Sequence, residues 1–104
     1  MVSNGPPVRL SPETQRRLEI IFPVDTRAQA EYLLTTECGN NLPFMEHQDS
    51  LGLERIRFAA LKVSEGRLER LEEAVRLAQI DWRDLLVAAG FEQDVRAHLD
   101  WLPK

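Results

Sequence analysis

From Leu68 onward the apolar residues Leu68, Leu71, Val75, Ala78, Trp82, Leu85 and Ala89 recur at spacings of 3, 4, 3, 4, 3 and 4. This a/d pattern, held for three heptads, confines the segment to an amphipathic α-helix. Asp81 could cap a new helix, but the phase passes through it without slipping. The spacing therefore predicts one helix from about Gly66 to Ala89, roughly 36 Å long at the α-helical rise. A domain of this chain length has a radius of gyration of about 13 Å, so such a helix would cross the whole molecule as its spine.

Glycine and proline punctuate the rest. They fall at positions 5 to 7, 12, 23, 39, 43, 52, 66, 90 and 103, leaving runs of helical composition at 24–38, 53–65, 67–89 and 91–102. Ser11 is a suitable N-cap for a first helix, with Pro12 at its first position and Glu13 at the positive end of its dipole; Pro23 ends it. Asp25 or Thr26 is expected to cap a second helix, which carries Ala30, Leu33, Leu34 and Cys38 on one side. A third is expected over 50–64, joined through Ser64, Glu65 and Gly66 to the long helix as an antiparallel helical hairpin. Its apolar face, Leu53, Ile56, Ala59, Ala60 and Val63, widens to Phe58 and Leu61, which predicts contacts on two sides. A last helix near 91–102 gathers Phe91, Val95, Leu99 and Leu102 before Pro103.

No segment alternates as a strand does without a better helical reading, so the fold class is all-α. The expectation is a compact bundle of about five helices: a flexible arm over 1–10 and one helical domain over 11–104. The chain has 104 residues and a net charge of −4. It holds no apolar stretch near the ~18 residues of a membrane span, and Met1 to Leu10 carries no signal-like apolar run. A single cysteine suits a reducing compartment, and a cytoplasmic location is expected. Residues 1–52 carry four basic and seven acidic side chains, and 53–104 carry nine and ten. Neither half offers a basic stripe for a phosphate backbone.

Two charges interrupt the apolar arcs: Glu37 falls between Leu33, Ala30 and Leu34, and Arg57 between Leu53, Ala60 and Leu61. An unpaired buried ion is costly, so a partly buried pair is expected between Glu37 and Arg57, or between Arg57 and a carboxylate such as Asp49; the alternative is that each side chain snorkels to solvent. Cys38 sits at a helix C-terminus, where the dipole opposes a thiolate, and reads as packing rather than chemistry. Cys38, His47 and His98 show no metal-ligand spacing, and no cofactor is expected. His98 lies one turn after Asp94, a candidate polar site in which the carboxylate orients the imidazole, and equally a structural histidine at a core edge. His47 stands with Glu46, Gln48 and Asp49 in a loop, where it could serve an enzyme only if a pocket formed.

Surplus apolar surface points elsewhere. The loop over 39–49 carries Leu42, Phe44 and Met45, which either tuck over the core or anchor a partner. Leu77, Ile80 and Val87 lie off the long helix's seam and need cover from a third helix of the same chain or from a second copy. Phe44, Met45, Leu77, Ile80, Trp82, Val87 and Trp101 are the candidate interaction residues.

The strings Cys38 to Phe44 (CGNNLPF), Arg55 to Lys62 (RIRFAALK) and Asp81 to Phe91 (DWRDLLVAAGF) resemble segments of short bacterial all-helical proteins of unknown function. The resemblance, over roughly residues 30–104, implies a bacterial cytosolic protein and no particular activity. The functional expectation is thus a helical protein acting through protein contacts, as a homodimer or an accessory subunit, without a membrane or small-molecule partner. The alternatives are a small enzyme using His47 or His98 with neighbouring carboxylates, and a DNA-binding regulator with Arg55, Arg67, Arg70 and Arg83 on one face.

Overall fold

Ser11 caps the first helix as the sequence reads. Its hydroxyl accepts from the Thr14 N–H at 3.1 Å, and Pro12 opens helix α1, Pro12–Ile21. The computed structural model describes residues 9–39, 42, 50–93 and 97–103. Among these it is all-helical, with α2 at Val24–Tyr32, α3 at Ser50–Ser64, α4 at Leu68–Ala89 and a 3₁₀ turn at Ala97–Asp100. The Cα radius of gyration is 12.3 Å. Of the expected arm, residues 1–8 lie outside the described residues, while Leu10 packs against the core.

The start of α2 differs from expectation. Pro23, in extended conformation, holds the N-cap position, and Asp25 falls in the first turn. There its carboxylate meets the positive end of the dipole without capping it. The end of α2 differs more: the helix widens into a π-helical turn over Leu33–Glu37. Thr35 donates its hydroxyl to the carbonyls of Glu31 (2.9 Å) and Tyr32 (3.3 Å), occupying acceptors that a regular helix gives to its own amides.

α3 runs through the middle of the molecule. Its residues from Ile56 to Leu61 are all buried, Arg57 included, because α1, α4 and the 3₁₀ turn pack around it. The wide apolar face of the sequence is thereby used on every side, and α3 rather than the long helix is the centre of the fold. α3 and α4 share the most extensive interface, over a turn in which Glu65 and Gly66 both have positive φ (53° and 79°). Gly66 is required there, since a Cβ would stand 2.4 Å from the Ile21 carbonyl oxygen at the end of α1.

The straight spine expected over 66–89 is broken. Asp81 leaves helical geometry, with φ −158° and ψ 96°, and its Oδ1 accepts from the Arg83 N–H at 3.0 Å as a new N-cap. Leu71, Val75 and Ala78 before the break and Leu85 and Ala89 after it are still buried. An unbroken apolar phase thus does not require an unbroken helix, because both halves face the core. Past Ala89 a Schellman closure forms: Gly90, with φ 79°, donates to Val87 O at 3.0 Å and Phe91 donates to Leu86 O at 2.9 Å. The Lys62 ammonium caps the Ala89 carbonyl at 2.8 Å.

This closure turns the chain and buries Phe91, so the expected helix over 91–102 does not form among the described residues. Only the short 3₁₀ turn follows, with Trp101 packed against the core and Leu102 exposed.

Candidate functional site

Among the described residues, ionisable side chains enter the core in two polar clusters, apart from the buried Ser64 hydroxyl at the end of α3 and the Cys38 thiol. At the first, Arg57 of α3 is buried and donates through Nε to the Cys38 carbonyl (3.1 Å) and through Nη1 to the Arg9 carbonyl (2.9 Å). Burial holds its guanidinium below the usual arginine range, with Cys38 acting in the opposite sense. Glu37, the expected partner, lies in the π-helical turn and is engaged by α4 instead: Gln79 Nε2 donates to its carbonyl at 2.9 Å and to its carboxylate at 3.3 Å. The alternative carboxylate, Asp49, lies outside the described residues. Burial pushes the Cys38 thiol up to about 12, against the pull of Arg57, which leaves a protonated packing residue rather than a nucleophile.

The second place lies between α1, α3 and the C-terminal segment. Arg17 Nε donates to the Trp101 carbonyl at 2.9 Å, and its Nη1 donates to the Glu13 carbonyl (3.0 Å) and carboxylate (2.9 Å). The guanidinium lies 4.3 Å from the centre of the Phe58 ring. That contact with Arg17, helped by Arg16, draws the Glu13 carboxyl below its ordinary range. Ser11 donates to the Glu54 carboxylate and stands 3.0 Å from the Thr14 hydroxyl.

His98 sits beside this cluster at 0% exposure, edge-on to Phe58 (5.0 Å between centroids) and to Phe91 (6.3 Å). Its Nε2 is 3.8 Å from Glu54 Oε1, beyond hydrogen-bond length, and neither ring nitrogen has a partner. Burial pushes its pKa down; Glu54 opposes this, while Arg55 and Arg17 add to it. The imidazole is neutral and closed off from any substrate. Asp94, expected to orient it, lies outside the described residues, as does His47. The carboxylate that faces it belongs to Glu54, one turn before Phe58 on α3, and nothing in the spacing around His98 points to that helix.

The described candidate interaction residues differ in exposure. Leu77, Trp82 and Trp101 pack against the core's edge, with the Arg83 guanidinium 5.3 Å from the Trp82 ring centre. Ile80 (73%) and Val87 (58%) are exposed, one before the Asp81 break and one after it, so no helix of this chain covers them. Phe44 and Met45 lie outside the described residues. The four arginines of the DNA-binding reading are engaged: Arg55 with the Phe91 carbonyl, Arg67 with Glu69 at 3.1 Å, Arg70 with Glu65, and Arg83 over Trp82.

Among the described residues, one hollow of 280 Å³ is lined by Val63, Arg70, Glu73, Ala74 and Leu77, and another surface lies on α2. Val24, Ala28 and Tyr32, four residues apart, are exposed along one stripe, with Val24 at 78% and Tyr32 at 60%. Beside it, between α2 and the first turns of α4, opens a groove of 310 Å³ lined by Ala28, Gln29, Tyr32, Leu33, Leu68 and Glu72. A smaller hollow of 110 Å³ continues past Leu33 and Glu72 to Glu37, Arg76 and Gln79. Leu33, which the sequence places on one side with Ala30, Leu34 and Cys38, is half-buried against the core and also lines the groove.

Among the described residues no helix is long and apolar enough to cross a membrane, and no group of three His, Cys, Asp or Glu side chains is placed to hold a metal ion. Comparison with protein-family models, curated proteins and solved structures finds no match to this chain.

Proposed function

We propose that this protein acts through protein–protein contact, and that the groove between α2 and α4 receives an amphipathic helix of a partner. The observation that carries the reading is the open groove itself, walled by two helices and floored by Ala28, Leu33 and Leu68, with the Tyr32 ring 60% exposed at its edge. Exposed tyrosine beside an apolar cleft is the composition of an interface anchor. A helix laid between two others is a recurrent mode of peptide recognition. α3 and the first half of α4, acting as a helical hairpin, hold the groove's far wall.

Charge narrows the partner. Arg67 and Arg70, the cations nearest the start of α4, are committed to Glu69 and Glu65. Glu72 remains on the groove lining as a carboxylate, and Glu37 and Arg76 both line the hollow beyond it. The partner helix accordingly carries lysine or arginine beside its apolar face. An accessory or regulatory subunit fits this description.

A photo-crosslinking residue placed at Tyr32 tests the reading, with the same group at exposed Glu69 as control. The expected product joins position 32 to an amphipathic helix with basic flanks, and Glu72→Arg reduces its yield. Products no stronger than those from position 69 would overturn the proposal. A product joining two copies of this chain would replace the partner helix with a homodimer.

A further inference from the structure

Among the described residues, the C-terminal segment, residues 97–103, is held to the rest of the protein mainly by ring packing and one carbonyl. The His98 ring stands edge-on to Phe58 and Phe91, and Trp101 stands edge-on to Phe58 at 6.1 Å. The Trp101 carbonyl accepts from Arg17 at 2.9 Å. Trp101 also lies 6.5 Å from the Phe91 ring and Ala97 packs against the core, while Leu102 at the end of the segment is exposed. Its deepest tie is thus an ionisable ring, fully buried, with no hydrogen-bond partner on either nitrogen. Folded proteins leave few buried polar groups in this state, and those they leave call for an explanation.

The charges facing that ring decide what a proton would do. From α1 comes the Arg17 guanidinium, and from α3 come Arg55 and Glu54. A protonated His98 would be a third cation beside two arginines. The carboxylate facing it, Glu54, is 3.8 Å away and already accepts from Ser11. Neutral His98, by contrast, packs between two phenylalanines at little electrostatic cost.

We propose that residues 97–103 form an acid-released strap: neutral His98 holds the segment over Phe58 and Phe91, and a proton on His98 frees it and uncovers those rings. The sign follows from linkage. Burial keeps the docked imidazole below its ordinary 6.5, so the docked form binds the proton more weakly than the freed form. Docking is complete above the ordinary value and weakens as the pH falls below it. Each unit separating the two values favours release tenfold.

Trp101 reports the event once Trp82, the other of the two tryptophans, is replaced by phenylalanine. In the full chain carrying Trp82→Phe, tryptophan emission and far-UV circular dichroism are followed from about pH 8 to about pH 5. A red shift of Trp101 is expected with its midpoint below 6.5, while helical ellipticity is retained. His98→Gln abolishes the shift. Glu54→Gln, which removes the carboxylate favouring the charged ring, widens the gap between the docked and freed values and moves the midpoint to higher pH. The proposal is overturned by any of three results: no shift, a shift unchanged in His98→Gln, or ellipticity lost in step with the emission. Should His98→Gln fail to fold, Glu54→Gln decides alone, and a midpoint that stays in place or falls overturns the strap.

Discussion

The Arg17 guanidinium lies over the Phe58 ring of α3, 4.3 Å from its centre, while its Nε donates to the Trp101 carbonyl. One buried side chain of α1 thus joins the central helix to the C-terminal segment. Arg17→Met keeps an apolar stem over Phe58 but leaves the Trp101 carbonyl and Glu13 without their donor. We expect a loss of about 2 kcal/mol in urea unfolding, close to the worth of a charged hydrogen bond. A change of a few tenths would show that the stem alone matters.

Gly66 and Gly90 share a φ of 79° but not the same surroundings. At Gly66 a Cβ would meet the Ile21 carbonyl oxygen at 2.4 Å, whereas at Gly90 its nearest neighbour is the Lys62 ammonium at 3.9 Å. Gly90→Ala should cost about 1 kcal/mol, the price of a left-handed residue with a side chain. Gly66→Ala should cost clearly more, about 3 kcal/mol, because α1 or the turn must move as well. Equal midpoints in parallel denaturant titrations would contradict the close approach.

Asp81 caps the second half of α4 through the Arg83 N–H. Asp81→Ala should lower stability by about 1 kcal/mol, and Asp81→Asn should retain most of it, since an amide oxygen caps nearly as well. Thermal unfolding of the two variants side by side checks this. If the break were incidental, alanine would instead stabilise the helix.

Cys38 is buried, with its thiol pushed up to about 12 by the absence of water. At about pH 8 an aromatic disulfide reagent should react with the folded protein orders of magnitude more slowly than with the chain in denaturant, at a rate set by local opening. Reaction at the rate of a free thiol would place the sulfur at the surface.

Much of the fold is local chemistry and is readable as such. Ser11 followed by Pro12 starts α1 because one hydroxyl and one fixed φ satisfy the first turn without help from elsewhere. Gly90 closes α4 because a left-handed residue there lets two amides reach back to helix carbonyls. The breadth of apolar character around Phe58 and Leu61 is likewise visible, and the centre of the molecule is where it is spent. The break at Asp81 is half legible: the capping residue is in plain view, but the apolar phase on both sides conceals that the cap is used.

What only the tertiary structure decides is which residues meet across distance in the chain. Glu37 and Arg57 both intrude on apolar arcs, and spacing alone suggests that they neutralise one another. Packing gives Glu37 to Gln79 of α4, while Arg57 donates to the carbonyls of Cys38 and Arg9. His98 meets Glu54, Phe58 and Arg17 for the same reason: which polar groups share a dry space depends on how three helices converge. The groove beside Tyr32 belongs to this class too. The 3–4 spacing after Gly66 by itself determined that residues 68–89 would be helical and which side would face inward, since periodicity is a property of one segment. Whether that segment runs straight, which helix lies at the centre, and where apolar surface is left uncovered depend on the competition among all the segments for the same core.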